Sequence, residues 1–316
     1  MRLLILGFSS IAERRVIPAA SAVAAIGEIS IASKSRRPPA AWPKQGRFFT
    51  DYETALRGGG ADIVYLSLPN AMHEQWTMAA LAAGKHVVVD KPAMIARDAA
   101  ELAVAEARRR KRLLAEAIVF GHHPQFQAIG NFIVEQGPLT QVDAQFIIPP
   151  LPSGNFRNHR ELGGGCRLDM GPYAAATMRL LGSGPPSHVT ALAGGVHPET
   201  GVDMGFSLLA RLHNGAAFSG HFSFEGEYQN RLLIVGRSGS VLTERVFTPP
   251  ADHRPEWRRR IRDAESVVTA EAADTFACFL EAVTNAVTAG EYEGFYRDLL
   301  ADAECRAVIA SALERA

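Results

Sequence analysis

The sequence predicts an α/β chain in two parts: an N-terminal parallel sheet wrapped by helices, then a C-terminal α+β domain with a mostly antiparallel, open sheet. Three observations carry this. The first part alternates short, wholly apolar runs with helix-length amphipathic runs, the pattern of strands buried on both faces and linked by crossover helices. After about Phe120 the strand-like runs lengthen and alternate, joined by turns such as His213-Asn214-Gly215 and Arg237-Ser238-Gly239. The 316 residues are too many for one ordinary domain.

Element by element, Leu3–Leu6 reads as a strand stopped by Gly7, and Ile11 to Ala25 as a helix. Glu28–Ala32 is a strand, and Asp51 to Leu56 a short helix with an acidic cap. Ile63–Leu68 is a strand stopped by Pro69-Asn70, and Met72 to Ala83 a helix ended by Gly84. Val87–Val89 (strand), Arg97 to Arg110 (helix) and Leu113–Ala117 (strand) complete the first part. Gln125–Glu135 reads as a helix. Val142–Phe146, Phe206–Leu212, Ala216–Phe224 and Arg231–Val235 read as half-buried strands, and Ala272–Ala289 and Phe295–Leu313 as closing helices. The domains are therefore expected at 1–119 and 120–316. Pro149 to Gly165 is too long and too rich in Pro and Gly for a routine connection, and is expected to line a site.

Composition narrows the function. The formal net charge is zero, with 47% apolar and 21% charged residues, so no global field favours nucleic acid or an anionic membrane. The basic run Arg108 to Arg112 reads as the solvated end of a helix, where cations suit the dipole. Cys166, Cys278 and Cys305 are odd in number and lack ligand spacing, so neither disulfides nor a metal is expected. With no membrane-length apolar run and no signal-peptide pattern, a reducing cytoplasm is the expected location.

The residues Gly7-Phe8-Ser9-Ser10-Ile11-Ala12 lie between the first strand and the first helix, where a Rossmann fold keeps its phosphate turn. Gly7, Ser9, Ser10 and Ile11 are thus expected at a diphosphate, although Ser9 stands where a second glycine is usual. At the end of the second strand an NAD enzyme usually carries an acid for the ribose hydroxyls. Here the chain reads Ala32-Ser33-Lys34-Ser35-Arg36-Arg37. Ser33 with the cations Lys34, Arg36 and Arg37 is read as a 2′-phosphate site, hence NADP(H) in preference to NAD(H); a solvated basic loop is the alternative.

Longer motifs then carry a resemblance. Asp62 to Asn70, His73, Ala80-Leu81-Ala82-Ala83-Gly84-Lys85-His86-Val87 and Asp90-Lys91-Pro92 resemble the glucose–fructose oxidoreductase / inositol dehydrogenase (Gfo/Idh/MocA) family, with Asp90 in place of that family's Glu. In the second part, His122-His123-Pro124-Gln125 and Glu161 to Tyr173 are similar as well. The resemblance implies a nicotinamide-dependent oxidoreductase with Lys91 at the junction of nicotinamide and substrate. It also implies a homo-oligomer, a dimer or tetramer. Most of the family has a histidine where this chain has Tyr173. The departure resembles the branch in which a tyrosine gives the proton, and Ala176 offers no second acid or base. Ile11 to Ala19 and Phe146 to Pro152, with Asn155-Phe156-Arg157, are most similar to the nucleotide-sugar 3-ketoreductases, which implies reduction of a keto group on a sugar or nucleotide sugar. A free-sugar, inositol or trans-dihydrodiol dehydrogenase is the alternative within the family, and a non-catalytic redox sensor the alternative outside it.

The chemistry suits the residues. Tyrosine at pKa ~10 is a poor acid–base group at neutral pH, and a neighbouring ammonium makes it a better one. Tyr173 is expected to give the proton and Lys91 to steady the alkoxide; a half-buried core aromatic at a helix start is the alternative for Tyr173, and an exposed strand-end lysine that for Lys91. Asp169, four residues before Tyr173, shares its face if both begin a helix; it is read as accepting sugar hydroxyls or as an N-terminal helix carboxylate. The strand-end residues Ser67, Leu68, Pro69 and Asn70, with His73 and Asp90, are expected to line the nicotinamide site; a helix-cap histidine is the alternative for His73. Arg157 is read either as a clamp for cofactor or substrate phosphate or as a solvated arginine. His122 and His123 are read as interface residues.

Overall fold

The computed structural model describes residues 1–316, which divide into two compact units. The first holds Met1–Val119 and Phe276–Leu300; the second holds Phe120–Thr275 and Ala301–Ala316. The segment Phe276–Leu300, expected in the second domain, is thus part of the first. The reason is packing: Phe276, Phe279, Leu280 and Val283 are buried in one cluster with Leu3, Ile5, Val16, Ile29 and Leu113. Burying side chains of this size stabilises by roughly 1.5–3 kcal/mol each, and no local signal says which core will take them.

In the first unit, β1 (Arg2–Leu6) leads into α1 (Ile17–Ala22), β2 (Glu28–Ala32), β3 (Gln45–Phe49), α2 (Tyr52–Gly58), β4 (Ile63–Leu66), α3 (His73–Ala82), β5 (His86–Val89), α4 (Arg97–Arg110) and β6 (Leu114–Glu116). The six strands run parallel in the order β3-β2-β1-β4-β5-β6. That order reverses direction between β1 and β4, where a doubly wound sheet opens a crevice at its strand ends. β3 was not foreseen: it follows a Pro-rich stretch, and its burial alternates at the sheet's edge, where propensity speaks weakly. The helix expected over Ile11 to Ala25 instead begins with a π-helical turn, Ala12–Val16, before α1. Pro18 has no N–H to donate into a regular ladder there. α2 begins as expected, with the Asp51 carboxylate accepting the Thr54 N–H at 2.8 Å.

In the second unit, α5 (Pro124–Glu135) and β7 (Leu139–Ile147) precede α6 (Cys166–Gly182) and the strands β8 (His188–Ala193), β9 (Gly205–Arg211), β10 (Ala217–Ser223), β11 (Gln229–Gly236), β12 (Gly239–Glu244), β13 (Glu256–Ile261) and β14 (Ala264–Thr269). They form one eight-stranded sheet ordered β14-β13-β12-β11-β7-β10-β9-β8, antiparallel except for β7 beside β10. Strict alternation of burial along β11 shows one covered face and one open face, as the sequence pattern predicts. No helix in the chain is long and apolar enough to cross a membrane.

Candidate functional site

The first unit gathers the predicted nucleotide residues at the carboxyl ends of β1, β2, β4 and β5. Gly7 closes β1 with φ +95°, and a Cβ added there would lie 2.2 Å from the Ser67 carbonyl oxygen. Only glycine therefore lets the turn after β1 pass against the end of β4. The chain is helical from Ser10 through Ala22. The first N–H groups of a helix have no partner within it, and they sit at its positive end. Those of Ala12 and Glu13 are taken by Ser9, through Oγ at 3.0 Å and through the carbonyl at 3.0 Å. Ser10 and Ile11, at the start of this helix, are exposed. A glycine cradle with a helix start beside it fits the diphosphate of a dinucleotide.

At the end of β2 the Arg36 guanidinium lies 4.8 Å over the Phe8 ring and pairs with Glu13 at 2.5 Å, while its backbone N–H donates to Ser33 Oγ at 3.2 Å. The basic loop is thereby held beside the phosphate turn. Arg36 and Glu13 are both substantially exposed, so their pair is worth ~1 kcal/mol or less and yields readily to a phosphate. The Lys34 ammonium lies 5.1 Å over the Tyr52 ring and 5.8 Å over Trp76. Arg37 is exposed.

At the ends of β4 and β5, Ser67, Leu68 and Asn70 are buried. Asp90 accepts from Tyr65 at 2.6 Å and from Ser67 at 2.7 Å, so both its oxygens serve the protein. The Lys91–Pro92 bond that follows is cis. His73 departs from expectation. It is buried, with Nδ1 2.8 Å from the Pro92 carbonyl oxygen and Nε2 2.9 Å from that of Leu68. Each ring nitrogen faces a backbone carbonyl, and the ring N–H donates to one of them, so His73 lies between the end of β4 and the Lys91–Pro92 turn. Glu116, at the end of β6, supports the same turn by accepting the Ala93 N–H at 3.1 Å; nothing in its spacing had marked it.

The second unit brings together Arg157, Asp169 and Tyr173. The long loop Pro149 to Gly165 is built around two short 3-10 turns, Phe156–Asn158 and Arg160–Leu162. It folds back so that the Gly165 N–H donates to the Arg157 carbonyl at 2.8 Å. Gly165, at φ +105°, sits where a Cβ would strike the Asp203 carboxylate at 2.4 Å, and that carboxylate accepts the Arg167 N–H at 2.5 Å. Asp203 thus caps α6 from 36 residues away, a partner no local spacing reveals. Asp169, in the first turn of α6, is nearly buried and pairs with Arg157 Nε at 2.9 Å. The solvated reading of Arg157 is set aside by this contact, and Asp169 serves the arginine as well as the helix start. One turn on, the Tyr173 ring packs against Phe120, Phe146 and Phe247, with centroids 5.8, 5.0 and 5.5 Å away. α6 begins at Cys166, so Tyr173 lies in its second turn. His123 is buried and takes the Gln125 N–H on Nδ1 at 3.0 Å, capping α5; its burial, with His253 nearby, holds its pKa below the usual histidine value.

Comparison with known proteins identifies the family. The model of an oxidoreductase family's NAD-binding Rossmann fold, Gfo/Idh/MocA, matches residues 1–117, and the Gfo/Idh/MocA C-terminal domain matches residues 135–242. A dTDP-3,4-didehydro-2,6-dideoxy-alpha-D-glucose 3-reductase of Saccharopolyspora spinosa is 36% identical over 271 residues, spanning 83% of this chain and 79% of that enzyme. The enzyme of the same description from Actinomadura kijaniata is 32% identical over 302 residues, spanning 92% and 89%. The crystal structure of a 3-ketoreductase from Actinomadura kijaniata, in complex with NADP and TDP-benzene, superposes with a TM-score of 0.92 at 31% identity, over 99% of this chain and 98% of that one. Matched along both its units, the chain belongs to the Gfo/Idh/MocA family and is an NAD(P)-dependent oxidoreductase.

Proposed function

We propose that this oxidoreductase uses NADPH to reduce a keto group on a nucleotide-linked sugar. The observation that carries the reading is the likeness, along the whole chain, to dTDP-sugar 3-reductases, one of them solved with NADP and a TDP compound. The end of β2 supports the cofactor: Lys34, Arg36 and Arg37 flank the phosphate turn, with no acid where a ribose hydroxyl would need one.

The reduced nicotinamide supplies a hydride when bound. As the substrate's C=O electron pair moves onto oxygen, Tyr173 gives that oxygen its proton and Lys91 steadies the charge. The Tyr65 and Ser67 bonds to Asp90, with the His73 and Glu116 bonds to Pro92 and Ala93, hold the backbone on both sides of Lys91. Arg157, held by Asp169, is suited to a diphosphate through its guanidinium fork. The test is a thermal-shift and turnover screen with NADPH present. Thymidine or uridine diphosphate and their sugars should raise Tm, and a 3-keto nucleotide sugar should be reduced. Efficient turnover of free xylose, inositol or an aromatic dihydrodiol, with no response to nucleotide sugars, overturns the reading.

A further inference from the structure

Four side chains of the first unit form an unbroken hydrogen-bonded line from the turn after β1 to the end of β5. The Ala12 N–H donates to Ser9 Oγ at 3.0 Å, and Ser9 Oγ lies 2.7 Å from Ser67 Oγ. Ser67 Oγ donates to Asp90 Oδ2 at 2.7 Å, and the buried Tyr65 hydroxyl donates to Asp90 Oδ1 at 2.6 Å. Proton counting gives the line a single direction. A carboxylate only accepts, and a hydroxyl has one proton. Ser67 commits its proton to Asp90, so the proton between the two serines comes from Ser9. Ser9, its proton committed inward, receives the Ala12 N–H. Ser67 is almost wholly buried, so turning either hydroxyl strands an acceptor away from water. Bonds in such a chain polarise one another in a low-dielectric interior.

The two ends of the line are the two places the reaction needs. Ser9 lies inside the turn fitted to the diphosphate, beside Ser10 and Ile11. Asp90 is joined through its own peptide bond to Lys91, and its N–H is anchored to the Leu66 carbonyl at 3.0 Å. The direction of the line also explains how a serine can stand where the phosphate turn usually has a second glycine. Its hydroxyl is turned toward Ser67 at the end of β4.

We propose that Ser9, Ser67 and Asp90 form a one-way relay that makes seating of the cofactor diphosphate and placement of Lys91 interdependent, with Ser9 and Ser67 as positioning residues. The inference rests on the role given to Lys91 above, and the experiment separates the two.

Ser9→Thr keeps the hydroxyl, whereas Ser9→Val has the same shape as threonine without it, and the position is half-exposed. The NADPH dissociation constant is read from protein fluorescence, and hydride transfer from single turnovers with both ligands saturating. Ser9→Thr should stay within about twofold of native in both. Ser9→Val should weaken NADPH by about threefold to tenfold and slow the saturated step by a similar factor, the usual net contribution of one hydrogen bond. In a Lys91→Met background, Ser9→Val should still weaken NADPH but slow the step no further. A Ser9→Val protein with weak binding and a native saturated rate overturns the relay alone. So does an equal slowing in the Lys91→Met background. A native rate in Lys91→Met by itself overturns the role of Lys91, and the relay with it.

Discussion

Replacing Tyr173 separates the ring from its hydroxyl. The ring is half-buried among Phe120, Phe146 and Phe247, at centroid distances of 5.0 to 5.8 Å. Aromatic pairs in such tilted and edge-on arrangements contribute ~0.5–1.5 kcal/mol each beyond area burial. Tyr173→Phe keeps all three, so its unfolding free energy should stay within ~1 kcal/mol of native. Tyr173→Ala loses them and opens a cavity, and should cost ~3 kcal/mol or more. On the reaction the two variants should converge, because both lack the hydroxyl proposed to give the proton. Single-turnover hydride transfer with substrate saturating should fall by about 10²–10⁴, the usual contribution of a general acid. The assay is stopped-flow loss of reduced-nicotinamide absorbance, paired with urea unfolding of each variant. NADPH affinity should be unchanged in Tyr173→Phe. A Tyr173→Phe protein that turns over at a near-native rate refutes the assignment and leaves Lys91 as the proton source.

Three further outcomes are expected. Arg36→Ala should weaken NADPH by about tenfold or more and NADH by under about threefold, since only NADPH carries the phosphate and a bond to a charged group contributes ~1.5–3 kcal/mol; equal losses in titration calorimetry would exclude a 2′-phosphate role. Asp302 is buried and holds Arg179 by two bonds of 2.7 and 3.1 Å, so Asp302→Ala strands a largely buried guanidinium and should cost ~3–5 kcal/mol in urea unfolding, while Arg179→Met with Asp302→Leu together should cost much less. His86 has its pKa lowered to about 4, chiefly by burial and then by Arg112, and its Nδ1 accepts the Leu113 N–H at 3.0 Å. The unfolded chain binds this proton at ~6.5, so the stability it contributes is present above that pH and is lost as pH falls toward 4. Partial exposure of the ring trims the effect to roughly 1–2 kcal/mol. Urea midpoints should drop from pH 7 to pH 4 in the native protein and drop less in His86→Gln.

Local chemistry settled the kind of element almost everywhere in the first unit. Ile63–Leu66 and Val87–Val89 are apolar throughout because a parallel sheet covers both faces, and a breaker follows each. Arg97–Arg110 runs from a first-turn acid to a last turn of three arginines, so its charges alone mark both ends. The glycine turn at Gly7, the acid-free end of β2 and the Asp90-Lys91-Pro92 and Tyr173 motifs were equally legible, because each depends on residue types at short spacing. Tertiary structure decided what long-range partners decide. Glu256–Ile261 and Ala264–Thr269 became strands by pairing with each other and with β12, although their own alternation is weak. Phe276–Leu300 joined the first core because its apolar face fits there, and an amphipathic helix does not name its partner. His73 turned out to be a backbone clamp, Asp203 a helix cap and Ser9 the start of a directed hydrogen-bond line. Sequence shows which atoms can donate and accept, but only the fold brings one donor to one acceptor and so spends a proton that the isolated residue could have offered elsewhere.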